Sequence, residues 1–457
     1  FIATVVSFSV REWNVQLWLL LQGLLRMSNM NTPICDFIEE YKKNNSIRLH
    51  MPGHKGVGFL GIEENDLTEI DGADSLYHAN GIIEKSEENA SELFGCKTFY
   101  STEGSSQCIR AMLYLAVLFA EKNSKKRLIW AGRNAHKTFL TAAAMLDFDV
   151  EWISSINDSY LSCNIDVQVI EKIFESSAEL PCAVYITNPD YLGNLIDISP
   201  IADICRKNGV LLIVDNAHGA YLKFLDKSYH PIDSGADICC DSAHKTLPVL
   251  TGGAYLHISD KAPEYFVKLA KNALALFGST SPSYIILQSL DAANRYIDSG
   301  YKEKLSDFIK RINALKSVLK KHGYKLYGNE PLKLTLSTKS YGYRGVDFAE
   351  ILKQNNIFCE FADQDFVVMM FTPELKESDL LFLENVLIST PKKDPVLLKP
   401  PHFSVPAKAV SVRKAVMTDS EVIPVSESEG RILSSFNISC PPAVPIAVCG
   451  ERINKET

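Results

Sequence analysis

A chain of 457 residues that is 46% hydrophobic, 22% charged and 10% aromatic has the make-up of a folded protein of about two to four domains, which excludes a disordered, collagenous or disulfide-miniprotein chain. Its 47 basic and 55 acidic residues leave a formal charge of −8, so no basic field draws in nucleic-acid phosphates, and no nucleic-acid partner is expected. The eleven cysteines are scattered from Cys35 to Cys449 without a C-x-x-C pair, which suits free thiols in a reducing cytoplasm.

The dense apolar run from Trp13 to Leu25 is shorter than the roughly 20 residues of a membrane span. Arg11 and Glu12 interrupt it, and neither a basic leader nor a small-residue cleavage site flanks it. It is expected to be an amphipathic helix or a stretch outside the functional protein, with translation starting at Met27 or Met30 and no membrane role.

From Thr32 onward the pattern is regular. Pro33 to Tyr41 has helical apolar spacing, the stretch His50-Met51-Pro52-Gly53-His54-Lys55-Gly56 reads as a loop, and Ile82 to Phe94 reads as a helix. Short apolar runs then alternate with helices: Leu128 to Ala131, Val150 to Ile153, Ala183 to Thr187, Val210 to Asp215 and Ile238 to Asp241. Alternation of this kind predicts a parallel α/β sheet. Ser289 to Leu319 predicts a long helix, continuous or broken near Gly300. Gly323 to Leu336, Val346 to Asn355 and Phe366 to Phe371 predict a second, β-α-β-like domain, followed by a Pro-, Val- and Ser-rich tail from Pro400.

Four local features carry chemistry. Asp241-Ser242-Ala243-His244-Lys245 closes a buried strand and is followed by Gly252-Gly253. A lysine there can be held partly desolvated, which lowers its pKa and makes it a Schiff-base nucleophile. Asp215-Asn216-Ala217-His218 ends the most apolar strand. An acid at that place can keep a pyridine nitrogen protonated, and small Ala217 leaves room for a flat ring; the same acid can equally be a helix cap. Ser101-Thr102-Glu103-Gly104-Ser105-Ser106 leads into a helix and offers hydroxyls and free N–H groups to a phosphate. His136, after the strand Leu128 to Ala131, can stack on an aromatic ring. Pro52 and Gly53 break any helix that would align His50 with His54, so no metal site is expected.

Phosphate cradle, stacking histidine, strand-end acid and activated lysine together describe a pyridoxal phosphate site. With them the chain resembles the fold-type-I ornithine/lysine/arginine decarboxylases in their short bacterial form, without an N-terminal wing domain. The resemblance covers Thr32 to Ile453. It rests on His50-Met51-Pro52-Gly53-His54-Lys55-Gly56, Asp66-Leu67-Thr68-Glu69-Ile70, Asp74-Ser75-Leu76-Tyr77-His78, Ser242-x-His244-Lys245, Ser279-Thr280-Ser281-Pro282-Ser283-Tyr284 and, in the tail, Gly430-Arg431-Ile432, Pro441-Pro442 and Gly450-Glu451-Arg452-Ile453.

The resemblance implies an aminotransferase-like α/β fold with a mostly parallel central sheet: an apolar extension 1–31, an arm 32–94, a large cofactor domain 95–288, a small α/β domain 289–395 and a C-terminal lobe 396–457. It implies that Lys245 carries pyridoxal phosphate as a Schiff base, that Gly104, Ser105, Ser106, Ser242 and His244 lie at its phosphate, and that His136, Asp215, Ala217 and His218 surround its ring. Ser279 and Thr280 would reach that phosphate from a neighbouring subunit, making a homodimer the smallest competent unit. The implied reaction is decarboxylation of arginine, lysine or ornithine to agmatine, cadaverine or putrescine, with Lys245 or His244 returning a proton to the substrate carbon. Glu360 and Asp363 are the candidates for holding the distal cation. Three positions depart from the family pattern: Glu103 beside the phosphate, the Asn188-Pro189-Asp190-Tyr191 loop, and Cys449 before Gly450. The alternatives are an aminotransferase or lyase using the same cofactor, with Arg344 as its carboxylate ligand, and a catalytically idle homologue acting as a binding partner.

Overall fold

The computed structural model describes residues 30–153, 160–398, 404–436 and 444–457; the apolar run from Trp13 to Leu25 lies outside them. Strands β1 (Lys97–Ser101), β2 (Leu128–Gly132), β3 (Asp149–Ile153), β4 (Ala183–Thr187), β5 (Leu211–Asp215), β6 (Ile238–Asp241) and β7 (Ala254–Ile258) form one sheet in the order β1-β7-β6-β5-β4-β2-β3. From β3 to β6 every pairing is parallel, whereas β7 runs antiparallel to both β6 and β1. The sheet is therefore mixed and mostly parallel, as the resemblance implies, and β1 and β7 are the two strands that the alternation does not reveal.

Both faces are covered, which is why the central strands read as uninterrupted apolar runs. Ile129, Ala131, Tyr185, Ile213 and Cys240 point into one core, shared with the helix Ser105–Lys122. Trp130, Val184, Ile186, Leu212 and Val214 point into another, closed by the helices Val167–Ser176 and Ile198–Lys207. Because β2, β4, β5 and β6 are parallel, their C-terminal ends share one edge, and the loops leaving them meet there.

Strands β8 (Lys325–Tyr327), β9 (Lys333–Ser337), β10 (Phe361–Ala362) and β11 (Phe366–Met370) build a second sheet, β10-β11-β9-β8, in which every pairing is antiparallel. The helix Gly345–Gln354 links β9 to this hairpin, so the β-α-β succession holds along the chain but not in strand direction. The predicted long helix is two, Tyr284–Asp298 and Tyr301–Lys321, parted at Gly300, whose φ of +94° suits a residue without a Cβ. No described helix is long and apolar enough to cross a membrane.

Candidate active site

The edge where β2, β4, β5 and β6 end gathers the residues that the motifs single out. Gly104, at φ +71°, caps the helix Ser105–Lys122, and a Cβ built on it meets nothing within 4 Å, so the helix start opens onto free space. Hydroxyls surround that opening: Ser242 donates to Ser105 at 2.8 Å, and Thr138 donates to Ser106 at 3.2 Å. Gly252 lies behind the cradle at φ +100°; a Cβ there would stand 2.8 Å from the Thr102 carbonyl oxygen. Free N–H groups at a helix start with hydroxyls around them suit an anion. Glu103 turns out of this cradle, its carboxylate accepting the Ser279 N–H.

Asp215 closes β5 and is buried. Its Oδ2 accepts from the Tyr185 hydroxyl at 3.0 Å and its Oδ1 from the Ala217 N–H at 3.2 Å, which fixes the carboxylate at the strand end. His136 caps the helix Lys137–Leu146: its Nδ1 accepts from the Thr138 N–H at 3.3 Å, and burial lowers its pKa. The cap orients the ring from the backbone.

Lys245 stands on the single helical turn Ala243–Thr246 that follows β6. Burial lowers its pKa, against the opposing pull of the Asp215 and Glu360 carboxylates. Its Nζ lies 3.0 Å from Nε2 of His218, whose own pKa is driven well down by burial and then by the positive charges of Lys245 and Lys333. His244 turns its Nδ1 to the Gly253 carbonyl at 3.0 Å, and burial lowers its pKa as well.

Around this centre stand residues from more distant parts of the chain. The Asn188-Pro189-Asp190-Tyr191 loop is pinned by Asp190, which accepts from Ser162 at 2.6 Å and from the Asn194 side chain at 2.7 Å. The loop sets the Tyr191 ring edge-on to His218, 5.4 Å between centroids, and its hydroxyl 2.8 Å from Glu360 Oε1. Glu360 thus connects through Tyr191 and His218 to Lys245. Asp363 is engaged elsewhere: Oδ1 accepts the N–H groups of Asp365 and Phe366 at 2.8 and 2.7 Å, and Oδ2 accepts from Tyr160 at 2.7 Å. It shapes the β10–β11 turn. Ser279 and Thr280 are exposed on the chain surface next to Glu103 rather than inside the cradle.

One further group supports the site from behind. Asp241, the residue before Ser242, is fully buried, with Oδ2 at 3.2 Å from His230 Nε2 and 3.1 Å from His257 Nε2, and with Oδ1 accepting from Asn216 at 2.6 Å. These are hydrogen-bond distances, and they lock the end of β6 to the residue following Asp215. Among the described residues His50 and His54 share no partner: His50 meets the Tyr41 hydroxyl at 2.7 Å, and His54 meets Asp66 at 3.3 Å. Burial raises the thiol pKa of Cys449 to about 11 and also raises that of Cys359, so both remain thiols at neutral pH. Arg344, the candidate carboxylate ligand of an aminotransferase, is half-exposed and paired with Asp347 at 2.7 Å.

The family model described as Orn/Lys/Arg decarboxylase, major domain, matches residues 32–327. The uncharacterized protein YaaO of Bacillus subtilis is 30% identical over 465 residues, spanning 94% of this chain and 93% of the relative. An arginine decarboxylase of Halalkalibacterium halodurans is 28% identical, spanning 93% and 91% respectively. Among solved structures, the constitutive lysine decarboxylase of E. coli aligns with a TM-score of 0.73 at 18% identity, over 94% of this chain and 76% of that one. Lysine decarboxylase A from Pseudomonas aeruginosa gives 0.75 at 18% identity, over 97% and 76%. The structures establish the fold, and the matches along the sequence establish the lineage: the chain belongs to the Orn/Lys/Arg decarboxylase family and is an amino-acid decarboxylase.

Proposed function

We propose that this chain removes the α-carboxylate of a basic amino acid, with arginine the first substrate to test because near-full-length relatives bear the name arginine decarboxylase. The observation that carries this reading is the position of Lys245: a half-buried amine with lowered pKa, between a hydroxyl-lined helix start and the strand-end acid Asp215. This set of residues fits pyridoxal phosphate, which when bound supplies an electron sink for the breaking carbon–carboxylate bond.

Gly104, Ser105, Ser106 and Ser242 hold the phosphate with hydroxyls and helix N–H groups. Asp215, anchored by Tyr185, supplies a fixed negative charge to the ring nitrogen. Ala217 and His136 are the residues that would flank that ring. Lys245 would be the residue that holds the cofactor covalently, and its free amine would return a proton to the substrate carbon. His244 is the poorer donor, since its Nδ1 proton is given to the Gly253 carbonyl. Glu360, oriented by Tyr191, receives the distal guanidinium or ammonium. Exposed Ser279 and Thr280 reach the cradle of a second copy, so the working unit is a homodimer.

Incubation with arginine, lysine and ornithine, followed by amine analysis, tests this reading. Release of CO2 with agmatine, cadaverine or putrescine is expected from at least one. Keto-acid formation without CO2 would replace the reading with an aminotransferase, against which the Arg344–Asp347 pairing already argues. A visible absorbance band that survives Lys245→Ala would remove Lys245 from its place.

A further inference from the structure

Behind His218 lies a buried ion pair that the reaction as described does not use. Lys333, the first residue of β9, and Glu330 have side chains only 1% exposed, and their charged atoms are 2.9 Å apart. A buried pair of this kind loses much of its hydration, and apolar residues of the same volume serve a core as well. Its place in the fold suggests a use, because the Lys333 ammonium crosses from the second sheet to the loops at the edge of the first.

Lys333 Nζ is ion-paired with Glu330 Oε2 at 2.9 Å and has two hydrogen-bond partners, the Asp190 carbonyl at 3.3 Å and His218 Nδ1 at 3.5 Å. An ammonium carries three protons and no lone pair, so it can only donate to Nδ1. A neutral imidazole with an accepting Nδ1 carries its proton on Nε2. That proton points at Lys245 Nζ, 3.0 Å away, and a donor there requires a lone pair on the lysine. An ammonium at Lys245 would instead face a donor or force the imidazole into the tautomer that opposes Lys333.

Other groups bear on Lys245 from several elements. The carboxylates of Asp215 on β5 and Glu360 before β10, with Cys240 on β6, favour the charged lysine; burial and Lys333 oppose it. His136 and His244, like Lys245 and Lys333, disfavour any positive charge on His218. Tyr191 completes the enclosure, edge-on to His218 and with Lys333 Nζ 5.9 Å from its ring centroid. The hydrogen-bond directions decide between these opposing influences.

We propose that Glu330 and Lys333 are positioning residues that hold His218 in its Nε2–H tautomer and thereby present Lys245 as a free amine, ready for covalent attachment to a carbonyl. The proposal rests on the reading of Lys245 as the cofactor lysine, yet it concerns the lysine before attachment and is tested there. Nitrogen-15 NMR of the full-length chain labelled in histidine, with His218 assigned by its loss in His218→Gln, should show the Nε2–H form between about pH 6 and 8. The Nδ1–H form would overturn the proposal. The pH profile of Lys245 acetylation by acetic anhydride, read by mass spectrometry on the full-length cofactor-free chain, provides the second measurement. In the double variant Glu330→Gln, Lys333→Met, which leaves neither buried charge alone, the midpoint should rise by about one pH unit. With Glu330 retained, Lys333→Arg should keep the midpoint near that of the parent. A midpoint unmoved in the folded double variant would overturn the proposal, whereas failure of Lys245→Ala to remove the visible band would overturn the cofactor reading instead.

Discussion

The guanidinium of Arg133, just past β2, holds both carboxylate oxygens of Glu451, 318 positions later, at 2.7 and 2.8 Å. The same guanidinium donates to the carbonyls of Pro445 and Ile446, and Glu451 accepts the Val448 N–H, so the C-terminal segment is bound to the loop that carries His136. Both side chains are almost wholly buried. Glu451→Ala leaves an unpaired buried cation and should cost about 3–5 kcal/mol in urea unfolding. A loss below about 1 kcal/mol would mean that the carbonyls alone satisfy Arg133.

His136 combines a helix cap with a ring at the site, and one substitution separates the two. Asparagine caps helices well, so His136→Asn should change stability by less than about 1 kcal/mol. Cofactor affinity should nevertheless fall, measured as retention of the visible band on dilution. Equal loss of cap and cofactor would reduce His136 to a structural role.

Asp215 is oriented by Tyr185 through one hydroxyl. Tyr185→Phe should lower kcat about tenfold, the effect of one hydrogen bond of about 1.4 kcal/mol, while Asp215→Asn should lower it by at least about 100-fold. An active Asp215→Asn enzyme with parental kcat would show that the strand-end charge is not used.

Glu360 and Asp363 should respond in opposite ways. Glu360→Gln removes the charge proposed to receive the substrate cation and is expected to raise KM about tenfold or more. Asp363→Asn weakens the β10–β11 turn and should lower the melting temperature with KM unchanged. A KM increase in the second variant would return Asp363 to the substrate site.

The Asp241 network makes part of the stability pH-dependent. Burial opposes a charged His257, but the Asp241 carboxylate outweighs it and raises the imidazole pKa; burial likewise opposes Asp241, and the two histidines outweigh it to depress the carboxyl. A raised histidine stabilises fully below its unfolded value of about 6.5, and that stability is lost as pH climbs through the folded value. A depressed carboxyl stabilises above its unfolded value and loses its contribution as pH falls through the folded one. The stability difference between the parent and His257→Gln should therefore be largest near about pH 5–6 and shrink toward about pH 9, read from melting curves. A difference that grows with pH would mean a neutral His257.

The strand ends and helix starts that carry Lys245, Asp215, His136 and Ser105–Ser106 were legible in the sequence because each depends on near neighbours in the chain: an apolar run ending in a polar residue, or a hydroxyl before a helix. The break at Gly300 was legible only as an option. Strand β7 escaped because His257, buried against Asp241, interrupts the apolar pattern that marks a core strand. Glu330, Lys333 and His230 carried no local signature at all, Tyr191 stood out only as part of a loop that departs from the family pattern, and nothing near Glu360 or Asp363 showed which partners either would meet. The tertiary structure decided these, because the order of strands in the sheet determines which distant side chains meet. That order is set by the burial of two whole cores rather than by any window of sequence.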